Sequence, residues 1–188
     1  MFHERDRDPD RDPDRCVLLL PGARYPTRAP LLWFAREVAQ QRDYTVLEVL
    51  EEPPPGANLF AWGQERAREA LDAATANRLV VIGKSLGSVA AGLVADRGLP
   101  AAWLTPVLDQ DVVLEGLSRT SQPTLLVGGT RDSMWQPDRL PENSALQTVE
   151  LEGLDHSLQV EGDPFASLEA LRRVTGAVAE FLDGLETA

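Results

Sequence analysis

What is scarce in this chain narrows the possibilities before any motif is considered. There is one cysteine, Cys16, so no disulfide can form within the chain, which fits a reducing compartment. Cys16 opens the apolar run Cys16–Leu20 and reads as a small core residue rather than a reactive thiol. No cluster has metal-ligand spacing, so neither a metal nor an organic cofactor is implied. No segment approaches the roughly 20 apolar residues that span a bilayer. The charged N-terminus carries none of the apolar stretch of a secretory signal. The expected location is cytoplasmic, with no membrane partner. Basic residues are outnumbered, 18 Lys and Arg against 30 Asp and Glu, for a net charge of −12. A phosphate backbone rewards a basic face, so nucleic acid is not an expected partner. Histidine occurs only twice, at His3 and His156.

What remains is an ordinary globular composition, 43% hydrophobic and 26% charged, in a length that suits one domain. Residues 1–15 form a charged leader in which Arg-Asp-Pro-Asp occurs twice, and low apolar content predicts disorder there. The folded domain is expected over 16–188. Short apolar runs then alternate with amphipathic stretches. Strands are expected at Cys16–Leu20, Thr45–Leu50, Leu79–Ile82, Ala101–Thr105, Thr124–Gly128 and Gln147–Leu151. Most of these runs are continuous rather than alternating, as strands covered on both faces require. Helices fall between them. One starts near Pro30 with Leu31, Ala35, Val38 and Ala39 on one face. A second runs from about Leu59 to Ala76, capped by Asn58. A third follows Ser85. The last is capped by Asp163, with Pro164 in its first turn, and Phe165, Leu168, Leu171, Val174, Val178 and Phe181 are expected on its core side. Alternating strand and helix predicts a three-layer α/β/α sandwich around a mostly parallel sheet of about six strands. Ligands of such sheets bind at the carboxyl ends of the strands.

Chemistry gathers at those ends. Leu79-Val80-Val81-Ile82-Gly83-Lys84-Ser85-Leu86-Gly87 reads as a buried strand, then G-x-S-x-G, then an alanine-rich helix. A serine on so sharp a turn is held in a strained backbone that lifts its hydroxyl above the sheet. Gly83 and Gly87 leave room where a side chain would strike a neighbouring strand or helix. A serine hydroxyl needs a base within reach. With His3 in the leader, His156, in the loop beyond the last strand, is the candidate. An acid to orient it is expected on a loop after an earlier strand, and Asp132, following Gly128-Gly129-Thr130-Arg131, is favoured. Asp109 and Asp111 compete for that role, and Asp155 stands too close to His156 in the chain. The N–H of Leu86 is one expected oxyanion donor. The other is sought in the loop Leu20–Tyr25, at Ala23 or Arg24. Tyr25, Trp103, Met134, Trp135 and Leu158 sit on segments placed to line a substrate pocket.

The strand–Gly-Lys-Ser-Leu-Gly–helix, the strand ending in Gly-Gly-Thr-Arg-Asp and the strand ending in Gly-Leu-Asp-His together resemble the α/β-hydrolase superfamily in its order Ser, Asp, His. The likeness spans residues 16 to 183. It implies Ser85 as nucleophile, Asp132 as acid, His156 as base, and Ala23 with Leu86 as oxyanion donors. The chain departs from the family in three places. Pro21-Gly22 stands where the family often has His-Gly. The family's first two strands find no room ahead of Cys16. Only about Pro106 to Gln122 lies where a lid domain would be inserted. The chain is thus most similar to small, cap-less members of dienelactone-hydrolase-like type, with serine in place of their usual cysteine. The resemblance implies hydrolysis of a small carboxylic ester through an acyl-enzyme. Thioester, lactone or amide cleavage by the same residues is the alternative, as is a binding module that kept the fold without the chemistry. The oligomeric state is not legible.

Overall fold

The apolar runs become strands close to where composition places them. The computed structural model describes residues 2–5 and 12–186. Its elements in chain order are β1 (Phe2–Arg5), β2 (Asp12–Leu20), α1 (Pro30–Gln40), β3 (Tyr44–Val49), α2 (Leu59–Ala73), β4 (Arg78–Lys84), α3 (Ala91–Asp96), β5 (Ala101–Leu104), α4 (Asp111–Arg119), β6 (Thr124–Gly129), β7 (Leu146–Leu151) and α5 (Pro164–Leu185). They form a seven-stranded sheet in the order β1-β3-β2-β4-β5-β6-β7. Strands β2 to β7 pair in parallel, and β1 lies antiparallel on β3.

Side chains alternate across each strand and so feed two cores. Val17, Leu19, Val80, Ile82, Ala102, Leu104, Leu125 and Val127 pack under α1 and α5. Cys16, Leu18, Leu20, Leu79, Val81, Ala101, Trp103 and Leu126 pack under α2, α3 and α4. The observed architecture is therefore the expected α/β/α sandwich. Its helices begin where the capping chemistry says they should. Asn58 accepts from the N–H groups of Phe60 and Ala61, and Asp163 from those of Phe165 and Ala166, with Pro164 opening α5.

Three expectations need correction. The leader was expected to lack structure through residue 15, yet Phe2–Arg5 pairs with Val46–Val49 and β2 begins at Asp12. Residues 1 and 6–11 lie outside the described residues. The reason is in the backbone, because β3 would otherwise present a row of unpaired N–H and C=O groups, and ladder pairing needs no apolar side chain. One strand thus fits ahead of Cys16, where none was expected. Helix α4 was also missed. Its buried stripe is only Val113, Gly116 and Leu117, too short to register as a period, and Gly116 is there so that α4 can close on Ala91 and Gly92 of α3. Finally, Phe165 and Leu168 are 81% and 60% exposed. The buried residues of α5 begin only at Ala170, past its first turn.

Candidate active site

At the carboxyl end of β4 the backbone turns sharply through Ser85, whose φ is +51°. A left-handed conformation is costly for a residue with a Cβ and persists only where the surroundings enforce it. Two close approaches do so. A Cβ on Gly83 would stand 2.6 Å from the buried Trp103 ring of β5. One on Gly87 would stand 2.8 Å from the carbonyl oxygen of Leu20 at the end of β2. The chain after Ser85 winds first as a 3-10 turn, Ser85–Ala90, and then as α3. Ser85 is left half-exposed on a buried base.

Its hydroxyl meets an imidazole from the loop after β7, at the same edge of the sheet. Ser85 Oγ lies 2.7 Å from His156 Nε2, and His156 Nδ1 lies 2.7 Å from Asp132 Oδ2. A carboxylate only accepts, so Nδ1 carries the proton, and Nε2 is left to accept from the serine hydroxyl. Asp132 is 4% exposed, and its other oxygen accepts from Met134 N at 2.9 Å. The loops after β6 and β7 are laced together: Thr130 N donates to Leu151 O, Arg131 N to Leu154 O, and Gly153 N to Thr130 Oγ1. Asp155 accepts from Ser157 N and Gln159 N and so shapes the turn that carries His156. The competing aspartates stand elsewhere. Asp111 is paired with Arg139, and Asp109 keeps a buried oxygen without a partner among the described residues.

No protein-family model matches the chain, and no curated protein sequence does. Solved structures do match. Est1E from Butyrivibrio proteoclasticus, with ferulic acid bound, is 13% identical with a TM-score of 0.69 over 100% of this chain and 95% of its own. Alpha/beta hydrolase domain-containing protein 10 from mouse is 10% identical with a TM-score of 0.70 over 98% and 94%. An α/β serine hydrolase without a lid from Xanthomonas campestris is 13% identical with a TM-score of 0.67 over 98% and 87%. The chain has the α/β-hydrolase fold.

Within this hydrolase fold the other expected site residues divide. The turn after β2 is closed by Gly22 N to Tyr25 O at 2.9 Å, with Ala23 and Arg24 at its tip. Neither of their N–H groups has a hydrogen-bond partner among the described residues. Leu86 lies in the first turn after Ser85, where helical geometry leaves its N–H without an internal acceptor. Tyr25 and Leu158 line a cavity of about 550 Å³ with Pro30, Leu31, Val160 and Leu171. This cleft opens immediately after His156, between the starts of α1 and α5. Trp103 and Trp135 do not reach it, contrary to expectation. Trp103 is 1% exposed beneath Gly83. Trp135 lies flat against Gly128 and donates from Nε1 to Glu150 Oε2 at 2.7 Å. Both are core residues, drawn in because glycines opposite them leave ring-sized space. Met134 is exposed on the loop after β6 and does not line the cleft.

Two residues of the site escaped the sequence reading. Ser88 donates to Ser85 O at 2.7 Å and accepts from Val107 N at 3.1 Å, tying the turn to the loop after β5. A serine three residues past the nucleophile in a helical stretch carries no signal of that bond. Lys84, inside the G-x-S-x-G, is buried with its Nζ 4.9 Å from the centre of the Tyr25 ring. Burial lowers its pKa from 10.5 to about 8, although attraction to Asp132 and Asp155 opposes the shift. Among the described residues no group of three or more His, Cys, Asp or Glu side chains is arranged to hold a metal, and no helix is long and apolar enough to cross a membrane.

Proposed function

We propose that this chain is a serine hydrolase that cleaves a small carboxylic ester by two-step acyl transfer. The observation that carries the reading is the continuous chain from Ser85 Oγ through His156 to Asp132, 2.7 Å at each step, on a serine held at positive φ. Ser85 Oγ attacks the ester carbonyl while His156 Nε2 takes its proton. The carbonyl electrons pass to oxygen, and the resulting oxyanion is received by the N–H of Leu86 and one from Ala23 or Arg24. The intermediate collapses with loss of the alkoxide, which leaves as alcohol with the proton from His156. Water then gives a proton to His156 and its oxygen to the acyl carbon, and Ser85 leaves with a proton restored. Asp132 holds the imidazole in the required tautomer and stabilises the imidazolium.

The cleft beside His156 supports an apolar acyl or alcohol group on the substrate, since Leu31, Leu158, Val160 and Leu171 are among its walls, with Ser157, Gln159, Asp163 and Ser167 at polar points. Thioester, lactone or amide cleavage would use the same residues, and matched esters and thioesters tell the alternatives apart by rate. The test of the chemistry is direct. A fluorophosphonate should label folded wild-type protein at Ser85, Ser85→Ala should abolish labelling, and Asp132→Asn should slow it by roughly three to four orders of magnitude. Folded protein that takes up no label at Ser85 would end the hydrolase reading in favour of a binding module.

A further inference from the structure

The acyl-transfer scheme leaves Lys84 without a task, yet its charge is held in a buried position at a cost. Among the 18 Lys and Arg residues it is the only lysine, it directly precedes Ser85, and it is 3% exposed. Its stem runs along the turn after β2, with Cδ 3.3 Å from where a Gly22 Cβ would stand. Its Nζ sits over the face of Tyr25, a ring fixed in turn because its hydroxyl accepts from Leu31 N at 2.9 Å. Among the described residues the Lys84 side chain makes no direct ion pair or hydrogen bond. The carboxylates whose field it feels are Asp132, after β6, and Asp155, after β7. A buried ammonium without a contacting counter-ion is expensive, and here it sits where the loops after β2, β4, β6 and β7 meet.

We infer that Lys84 is a positioning residue: seated on Tyr25, its ammonium draws the loops of Asp132 and Asp155 toward β4, holds His156 against Ser85, and keeps the site competent only while it is charged. This rests on the hydrolase reading of Ser85. Attraction beyond contact distance stays substantial where water is largely excluded, and the ring face adds its own. Among the described residues the groups that act on the ammonium are the Tyr25 ring beneath it and the carboxylates of Asp132 and Asp155. Burial pushes the Tyr25 phenol up, so it stays neutral while Lys84 titrates. Because the lysine's pKa lies at about 8, the charge disappears within a range the protein can be assayed in.

The experiment measures the rate of fluorophosphonate labelling at Ser85 between about pH 6 and pH 10 for wild type, Lys84→Met and Lys84→Arg. Alongside it, protein labelled with 15N at lysine gives a single Nζ signal whose titration is followed directly. The wild-type rate should fall with the midpoint of that signal. Lys84→Met should label roughly ten- to a hundredfold more slowly below the midpoint, without a fall there. Lys84→Arg should recover most of the rate and carry it through the range. A wild-type rate unchanged across the Nζ titration, or a Lys84→Met rate equal to wild type, overturns the inference. If the arginine variant does not fold, the other two profiles decide. If folded wild type takes no label at all, the hydrolase reading has failed, and the positioning role is judged on the low-field Nδ1 proton of His156, distinguished from His3 by His3→Gln. Its loss in Lys84→Met alone supports positioning, and its survival in Lys84→Met overturns it.

Discussion

Ser85, His156 and Asp132 occupy three loops separated by tens of residues, and what each contributes depends on its immediate surroundings. On the hydrolase reading the imidazole serves because Asp132 fixes which nitrogen is free, and the serine because a strained φ of +51° holds its hydroxyl clear of the sheet. Lys84 shows the opposite balance, a residue that weakens the fold where it stands. Burial lowers its pKa from 10.5 to about 8, so between those values the unfolded chain binds the proton more tightly than the folded one. Stability therefore rises with pH across that interval, the penalty is complete below about 8, and it is gone above 10.5. The gap corresponds to about 3 kcal/mol. Lys84→Met should accordingly unfold at higher temperature than wild type at pH 7, with the difference shrinking toward pH 10. Calorimetry at the two pH values checks this, and a variant less stable than wild type at pH 7 would refute it. Gain in stability with loss of labelling rate is the signature expected of a charge retained for function.

The elements hold this geometry through contact rather than through propensity. β4, β2 and β5 converge under the turn at Ser85, and the two glycines of the motif are where they touch. Gly83→Ala would press a methyl into Trp103, a ring 1% exposed and packed on all sides. The expected cost is about 1–3 kcal/mol with Ser85 displaced, so chemical denaturation should show a lowered midpoint, and labelling of the protein that remains folded should fall as well. An alanine variant with wild-type stability and labelling would mean that the glycine is not there for clearance. The motif and the flanking strand were legible in sequence because the turn demands glycine at fixed offsets. Ser88 was not, since its bond to Val107 N depends on where the loop after β5 lands.

Across the whole molecule the sheet does one further thing. By starting α1 and α5 on the same side as the His156 loop, it leaves a cleft of about 550 Å³ immediately after His156, with the exposed Phe165 and Leu168 at the start of α5. Leu171→Trp should fill part of that space. On the hydrolase reading it should raise KM for a hexanoate ester by about tenfold over acetate, a selectivity read from steady-state rates on matched esters. Equal effects on both chain lengths would show that the acyl group lies elsewhere.

The sequence by itself determined the alternation of strand and helix, the turn at Ser85 and the order of serine, aspartate and histidine. Those follow from periodicities and turn chemistry that act over a few residues. Only the tertiary structure decided that β1 covers the edge of β3 and that α4 forms on a stripe containing Gly116. It also decided that Trp103 and Trp135 are core residues, and that Lys84 is buried over Tyr25. Each of these depends on which distant segment becomes a neighbour. Burial, clearance and charge at a point are sums over neighbours that the local pattern does not name.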